Sequence, residues 1–311
     1  MAKAKRIKGI KCNDNAAAGI RLVLTTRSHE MSEFRDAALD FSDPEGVHSM
    51  RVASRRLRSA LRDFTPYIRR RDIAALLKQT KAIAASLGEV RDQDVAIAAL
   101  EKLEKRAPAE TSVALKQMIH TRAAARDGAR EKLKSILHTS NDFATQFSSS
   151  IDTATSSPKQ ATVTFLNMSE AVIVERLKEL EDLSDSLYKP FEVESLHEMR
   201  IAAKRLRYAL ELFQQCWGRT IAGYAKQIAA MQKALGDLHD CDVWIDSIGE
   251  RINEARKHKH DEHLTGLIWL LSHFVKLRTK HLRQAYELWR EWEANDRSGQ
   301  LRQALNSRDR E

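Results

Sequence analysis

Apolar residues recur every three or four positions along most of the chain, the spacing that places side chains on one face of an α-helix. Met50, Leu57 and Phe64 illustrate the pattern, with charged residues on the opposite side of the same helix. The pattern predicts four amphipathic helices in each half of the chain, and therefore an all-α fold. The predicted helices span residues 14–40, 44–66, 71–104 and 109–137, then 162–185, 192–216, 219–256 and 261–294.

The composition of the chain also favours long helices. Its 311 residues include only 11 Gly and 5 Pro, the two residue types that interrupt helices most strongly. The most apolar stretch, near residues 264–275, is far shorter than the roughly 20 residues of a membrane-spanning helix. No apolar segment follows the basic start of the chain. We therefore expect no membrane span, no secretory signal and a cytoplasmic location.

Two segments of the first half recur in the second half, which indicates an internal repeat. Residues 48–58 read HSMRVASRRLR, and residues 197–207 read HEMRIAAKRLR, aligned without gaps. Further along, residues 87–95 read LGEVRDQDV, and residues 235–243 read LGDLHDCDV. We therefore expect two pseudo-symmetric four-helix bundles.

A Ser/Thr-rich stretch near residues 139–164 separates the two halves and is typical of a connector. It predicts a boundary near Ser157. The first bundle then spans residues 14–157 and the second 158–295, flanked by a basic N-terminal tail at 1–13 and a polar C-terminal tail at 296–311.

Each repeated helix has a cationic face opposite its apolar face. At about 100° per residue, the cations of the first copy fall within an arc of roughly 60° beside His48. The first basic face consists of His48, Arg51, Arg55 and Arg58, with Arg62 as an additional candidate, and the second basic face consists of His197, Arg200, Lys204 and Arg207.

A basic stripe is often an ordinary solvated helix face, which is the first alternative. A solvated face normally mixes charges of both signs, because like charges three or four residues apart repel by roughly 0.2–0.5 kcal/mol per pair. Here the cations follow one another and the pattern occurs twice, so we interpret both faces as anion-binding sites. Arginine suits this role, since its planar donors can bind phosphate oxygens bidentately. The net charge of +9 also favours an anionic partner.

Some residues allow more than one interpretation. His48 and His197 lie near predicted helix starts, where they could contact an anion beside free backbone N–H groups. Alternatively, each could be a neutral imidazole bonded to a backbone carbonyl. Lys78 and Lys226 occupy matching positions on the third predicted helix of each half and could face the same groove.

The repeated D-x-D segments do not predict a metal site. Asp92 and Asp94, like Asp240 and Asp242, are two residues apart, and on a helix such side chains point about 200° away from each other. We expect each aspartate to pair with an arginine of a neighbouring helix. No metal ion and no cofactor are expected. Because the sequence also lacks phosphate-binding loops and a G-x-S-x-G elbow, we expect no catalytic activity.

The repeated motifs resemble those of the CHAD domain, the conserved histidine α-helical domain. The family pattern is a histidine followed by R-x-x-x-[RK]-R-L-R in each of two bundles, with L-G-x-x-x-D downstream, and residues 14–295 contain both twice. The resemblance implies that basic residues of both bundles line a shared groove that binds inorganic polyphosphate, and some members associate with polyphosphate granules. The residues that it implies for binding are His48, Arg51, Arg55, Arg58, His197, Arg200, Lys204 and Arg207.

The sequence departs from this pattern in its second half. Ile201 follows Arg200 where many relatives have another basic residue, and Glu211 stands where the first half has Arg62. We therefore expect the second basic face to bind more weakly. Some relatives carry a CYTH triphosphatase domain with an E-x-E-x-K strand. The nearest string here, at residues 192–196, lacks the lysine, so no hydrolysis is expected.

Other functions remain as alternatives. A nucleic-acid-binding protein would use the same arginines on phosphates. It is disfavoured because aromatic residues form only 6% of the chain and the basic faces carry no Asn or Gln to contact bases. A scaffold that recruits proteins to polyphosphate granules is compatible with binding. An enzyme acting on phosphate chains would need a carboxylate cluster for Mg²⁺, which the D-x-D pairs do not form.

Overall fold

The computed structural model describes residues 4–140, 142–156, 162–257 and 261–307. Within these residues, regular structure is helical apart from one isolated antiparallel bridge between Asn15 and Thr164. The all-α prediction is therefore confirmed. The predicted boundary near Ser157 lies outside the described residues.

The α-helices are numbered in chain order along the described residues. They are α1 (Ala16–Glu33), α2 (Arg35–Leu39), α3 (Pro44–Phe64), α4 (Arg70–Glu104), α5 (Ser112–His138), α6 (Phe143–Ala154), α7 (Phe165–Asp182), α8 (Val193–Trp217), α9 (Ala222–Lys257), α10 (Asp261–Ala294) and α11 (Arg297–Asn306). Short 3₁₀ turns lie at Thr65–Tyr67, Ala109–Thr111 and Ser184–Tyr188.

Local sequence explains several helix ends. The Asn15 side chain caps α1 by accepting a hydrogen bond from a backbone N–H at 2.7 Å. Asp43 caps α3 in the same way at 2.8 Å, and Pro44 follows at the first helical position, where an N–H is not needed. After α8, Gly218 has a φ of 60°, a conformation that glycine adopts without strain.

The observed helices differ from the predicted ones at two places in the first half. The predicted helix at 14–40 is divided at Phe34, giving α1 and α2. Helix α6 lies in the stretch predicted as a connector. Its residues Phe143, Phe147 and Ile151 are buried, and their four-residue spacing stabilises a helix despite the Ser/Thr content.

Each predicted tail contains a segment that packs against the rest of the chain. Helix α11 lies within the predicted C-terminal tail and buries Leu301 and Leu305, which are one turn apart. Trp217 Nε1 donates a hydrogen bond to the Leu305 carbonyl oxygen at 3.2 Å. In the predicted N-terminal tail, Ile7 is buried. A few apolar residues therefore anchor segments whose overall composition is polar.

Contacts between helices divide the chain into two compact units. Unit 1 comprises Met1–Lys105 and Lys116–Met168, and unit 2 comprises Arg106–Leu115 and Ser169–Glu311. In unit 1, α3 packs against α1, α2 and α4, and α6 packs against α1 and α4. In unit 2, α9 packs against α8 and α10.

Each unit has a core of large apolar side chains. In unit 1, Phe64, Phe147 and Phe165 are fully buried, and the ring centroids of Phe64 and Phe165 lie 6.5 Å apart. In unit 2, Phe213 and Leu206 of α8 are fully buried. Burial of each such side chain contributes about 1.5–3 kcal/mol, so these positions hold α3 and α8 against their neighbours.

The internal repeat extends to the first helix of each unit. In unit 1, Glu30 of α1 lies 2.5 Å from Arg27 Nη1 and 3.0 Å from Arg56 Nη1 of α3. The same ion-paired triad recurs in unit 2, so α1 and α3 correspond to α7 and α8. The counterparts, at the same offset as the two basic faces, are Glu179, Arg176 and Arg205.

Candidate anion-binding faces

The apolar side of each repeated helix is placed as the periodicity predicts. The five apolar residues opposite each basic face are all buried, with exposed fractions of at most 2%. This orientation turns the cationic side of α3 and of α8 away from the core of its unit. The buried residues are Met50, Ala53, Leu57, Leu61 and Phe64 in α3, and Met199, Ala203, Leu206, Leu210 and Phe213 in α8.

The basic faces are not fully solvated. Seven of their eight residues are half-buried, and Arg58 is exposed. A stripe that served only solubility would extend its long side chains into water. These side chains instead lie against neighbouring helices, which argues against the solvated-face alternative.

Arg51 shows how a face side chain is held. Its Nη2 donates a hydrogen bond to Asp92 Oδ1 of α4 at 3.0 Å. Gly88 lies one turn before Asp92, and a Cβ atom at Gly88 would be 3.9 Å from Arg51 Nε. In unit 2 the distance from a Cβ atom at Gly236 to Arg200 Nε would be 3.8 Å. The glycine of each L-G motif therefore leaves room for an arginine. At the glycine position, a side chain longer than that of alanine would occupy the space that the arginine fills.

The second aspartate of each D-x-D segment faces a different helix. Asp94 Oδ1 lies 3.8 Å from Arg126 Nη1 and 3.9 Å from Arg130 Nη2, both on α5. Asp242 accepts a hydrogen bond from Arg278 Nε of α10. The expected aspartate–arginine pairing is thus confirmed for Asp92, Asp94 and Asp242. These pairs connect α3, α4 and α5 in unit 1, and α9 and α10 in unit 2.

The face histidines are not additional cations at neutral pH. Burial, followed by the charge of Arg91, lowers the pKa of His48 below its ordinary value of 6.5. Burial, followed by the charge of Arg200, lowers the pKa of His197. Both are the fifth residue of their helix, so their backbone N–H groups lie beyond the four that are free at a helix start.

His197 pairs with a second histidine. Its Nδ1 lies 3.1 Å from His239 Nδ1 of α9, and the ring centroids are 4.3 Å apart. Burial, followed by the charge of Arg200, lowers the pKa of His239 to about 4. Two neutral imidazoles can share one N–H···N hydrogen bond, which fits this geometry.

Sequence reasoning did not include Arg91 and His239 among the site residues. They occupy equivalent positions in the repeated motifs LGEVRDQD and LGDLHDCD. The charge of Arg91 lowers the pKa of His48, and His239 lies 3.1 Å from His197 between their Nδ1 atoms. The repeat itself contained this signal. Arg91 and His239 lie beside the faces because α4 packs against α3 and α9 packs against α8.

The additional candidates differ in their positions. Arg62 Nη2 donates a hydrogen bond to Ser59 Oγ at 2.9 Å on the same helix. Lys78 and Lys226 are exposed and lie 13 residues before Arg91 and His239, which is about 20 Å along α4 or α9 and on another side of the helix. That these two lysines face the same groove as the basic faces stays a prediction.

Among the described residues, no group of three or more His, Cys, Asp or Glu side chains is placed to hold a metal ion. The same part of the chain contains no helix that is long and apolar enough to cross a membrane.

A family model for the CHAD domain matches residues 23–249, more than half of the chain and a range that includes both basic faces. The chain belongs to the CHAD domain family. The crystal structure of the CHAD domain from the plant Ricinus communis is similar, with a TM-score of 0.65 and 21% identity, over 89% of this chain and 95% of that one. PptA from Streptomyces chartreusis is also similar, with a TM-score of 0.65 and 13% identity, over 89% of this chain and 100% of that one. At these identities the likeness shows the CHAD fold alone. No curated protein matches the sequence.

Proposed function

We propose that this CHAD protein binds inorganic polyphosphate on its two basic faces and does not hydrolyse it. The observation that carries the proposal is that seven of the eight face residues are half-buried although six of the eight are Arg or Lys. Basic side chains held side by side against other helices repel one another and lose hydration. Asp92 and Glu211 each pair with one of these cations. A polyanion that contacts several of the cations at once reduces their mutual repulsion further.

Inorganic polyphosphate fits such a surface better than a single phosphate does. Each of its phosphates carries negative charge and oxygens that can accept bidentate hydrogen bonds from arginines such as Arg51 and Arg55. Further phosphates on the same chain add contacts without a second loss of translational freedom. Binding also releases counterions. We therefore expect affinity to rise steeply with chain length and to fall with salt concentration.

The aspartates beside the faces favour binding over hydrolysis. Phosphoryl transfer assisted by Mg²⁺ needs carboxylates that converge on one ion. Asp92 faces Arg51 of α3, whereas Asp94 faces arginines of α5. Incubation with polyphosphate and Mg²⁺ or Mn²⁺ should release no phosphate. The proposed binding role would be contradicted by a phosphate-releasing activity that copurifies with the protein and is lost in an Asp92→Asn/Asp94→Asn variant.

The decisive experiment is a competition titration at fixed ionic strength. Long-chain polyphosphate, pyrophosphate and duplex DNA are compared at equal phosphate concentration on the wild-type chain and on Arg51→Ala/Arg200→Ala. The matched control is Lys105→Ala/Lys178→Ala, which removes the same charge from two exposed lysines outside the basic faces. Polyphosphate should compete best, and only the arginine variant should lose that preference.

Two results would refute polyphosphate as the ligand of these faces. Equal competition by DNA would show general attraction between a basic protein and a polyanion. Equal losses in the arginine and lysine variants would show that net charge, rather than the basic faces, determines binding.

Association with polyphosphate granules would follow from the same binding. A fluorescent fusion of the full chain should colocalise with granules, and Arg51→Ala/Arg200→Ala should disperse it. Colocalisation that survives this variant would favour a scaffold held by other proteins.

A further inference from the structure

Helix α5 carries arginines on the side that it buries in unit 1. Met118, Leu133 and Leu137 are at most 1% exposed and mark this side of the helix. By helix geometry, Arg122 and Arg126 fall within the same arc of about 100°. Both arginines are half-buried. Charged residues are rarely placed on the buried side of a helix, so these two positions call for an explanation.

The internal repeat aligns this part of α5 with α10. Asp94 of α4 is ion-paired with Arg130 of α5, and Asp242 of α9 is ion-paired with Arg278 of α10. The two aspartates are 148 residues apart in the sequence, and the two arginines are separated by the same 148 residues. Positions of α5 and α10 can therefore be compared residue by residue around these ion pairs.

Unit 2 has apolar residues where unit 1 has the two arginines. At the same offset, Arg122 and Arg126 correspond to Leu270 and Phe274. Leu270 is fully buried, and Phe274 is buried and stacks on Trp244 with the ring centroids 5.4 Å apart. The fold thus accommodates an apolar side chain at these positions. The architecture of the bundle therefore does not require the arginines of unit 1.

The guanidinium groups of Arg126 and Arg130 are only loosely paired. They lie 3.8 and 3.9 Å from Asp94 Oδ1, and 3.7 and 3.9 Å from Asp127 Oδ1, which is too far for a hydrogen bond. Their Nε atoms are buried and have no hydrogen-bond partner among the described residues. In unit 2, by contrast, Arg278 donates hydrogen bonds to a carboxylate and to a backbone carbonyl oxygen. The two guanidinium groups of unit 1 therefore have donors available for a ligand.

The charges around these two arginines do not balance. The side chain of Asp94 is 9% exposed, and it faces both Arg126 and Arg130, which are 27% and 21% exposed. Asp127 is 68% exposed, so water screens its charge. One partly buried positive charge is left without a carboxylate of similar burial. Such a charge lowers stability unless an anion neutralises it.

The two arginines lie close to the start of the first basic face. Arg130 Cζ is 5.0 Å from the centre of the Phe41 ring, and Phe41 lies three residues before α3 begins. On α4, Arg91 lies about 60° around the helix from Asp94, and its charge acts on His48 of α3. Basic groups thus follow one another from the first basic face across α4 to α5.

We propose that Arg126 and Arg130 form a second phosphate-binding site in unit 1, beside the first basic face. This inference rests on the proposed function, because the ligand is the same polyphosphate chain. One of its phosphates accepts hydrogen bonds from both guanidinium groups, and Asp94 holds these groups side by side. The corresponding place in unit 2 holds Phe274 and the hydrogen-bonded Arg278. Unit 1 therefore contacts more phosphates of a long chain than unit 2 does.

Replacing Arg126 with the residue of unit 2 tests this proposal in the full chain. Arg126→Phe should weaken binding of long-chain polyphosphate roughly threefold or more at fixed ionic strength, and the slope of log affinity against log salt should become shallower by about one unit. The midpoint of denaturant unfolding without ligand should not fall, because the variant replaces a loosely paired charge with an apolar side chain. A purely structural arginine would give the opposite pattern.

A second variant removes the charge without adding a ring. Arg126→Gln should weaken binding and change the salt slope as Arg126→Phe does. The matched control is Arg106→Gln, which removes an exposed arginine outside the basic faces and should leave the slope nearly unchanged. Equal changes of slope in Arg126→Gln and Arg106→Gln would show that net charge determines the effect, which would overturn the second site.

Two further outcomes separate this site from the proposed function. Both Arg126 variants could bind like wild type while Arg51→Ala/Arg200→Ala loses its preference for polyphosphate. The second site would then be wrong, and the proposed function would stand. If the wild-type chain shows no preference for polyphosphate over duplex DNA, the proposed function fails and this inference fails with it.

Discussion

Arg51 Nη2 and Asp92 Oδ1 lie 3.0 Å apart, and the Asp92 side chain is 68% exposed while that of Arg51 is 26% exposed. An ion pair with one partner this exposed contributes roughly 0.2–1 kcal/mol. If polyphosphate binds here, Asp92 competes with it for the Arg51 guanidinium. We therefore expect Asp92→Asn to change the free energy of unfolding by no more than about 1 kcal/mol and to strengthen polyphosphate binding in a titration at fixed ionic strength.

Glu101→Gln is the control for Asp92→Asn, because it removes a carboxylate from the opposite side of the same helix. It should strengthen binding less. Weaker binding by Asp92→Asn would mean that Asp92 orients Arg51 for the ligand more than it competes with the ligand.

The second D-x-D aspartate of unit 2 has a structural role. The side chains of Asp242 and Arg278 are 8% and 14% exposed, and Arg278 Nη2 also donates a hydrogen bond to the Pro190 carbonyl at 2.7 Å. Asp242→Ala leaves the buried guanidinium without its carboxylate, which should lower the free energy of unfolding by about 3–5 kcal/mol. Denaturant titration measures this loss. Asp240→Ala, which changes the exposed aspartate of the same motif, should cost much less, and equal losses would contradict this distinction.

The His197–His239 pair predicts lower stability in acid. The pKa of His239 is about 4 in the folded protein, compared with about 6.5 for an unfolded histidine. Between these values the unfolded chain binds more protons than the folded one, so stability falls as the pH is lowered from 6.5 towards 4. His239→Gln should lose less stability than wild type over this window, as measured by denaturant titration at several pH values. An identical pH dependence would show that His239 is not responsible.

The same pair predicts proton-linked binding. A phosphate beside His197 and His239 favours their charged forms, so binding takes up protons when the free imidazoles are neutral. Polyphosphate affinity should therefore rise as the pH falls from 7 to 5. His239→Gln should reduce this rise, whereas His29→Gln, which changes an exposed histidine of α1, should not. A pH dependence that is unchanged in His239→Gln would place the ligand away from this pair.

Much of the fold could be predicted because helix periodicity is a local property. Met50, Leu57 and Phe64 mark a buried stripe whatever the rest of the chain does. Helices α6 and α11 were missed because tertiary burial of a few side chains, such as Phe147 and Leu301, stabilises them against an unfavourable polar composition. Intrinsic propensity alone therefore underestimated the helical part of the chain.

The arrangement around each face depends on packing, which the sequence specifies only indirectly. The residues of the basic faces share a helix, so their spacing was enough to group them. Arg91 and His239 belong to other helices, and their position beside the faces depends on how α4 and α9 pack.

Glu211 accounts for a difference between the two basic faces. Arg207 Nε lies 2.9 Å from Glu211 Oε1, whereas the equivalent position on α3 is Arg62. Glu211→Arg should release Arg207 and add a cation, so it should strengthen polyphosphate binding. If the new cation contacts a phosphate, the slope of log affinity against log salt should steepen by about one unit. Glu287→Arg, which makes the same charge change at an exposed position of α10, should leave that slope nearly unchanged. Equal effects of the two substitutions would mean that polyphosphate affinity depends on net charge and that the ligand does not lie along this part of α8.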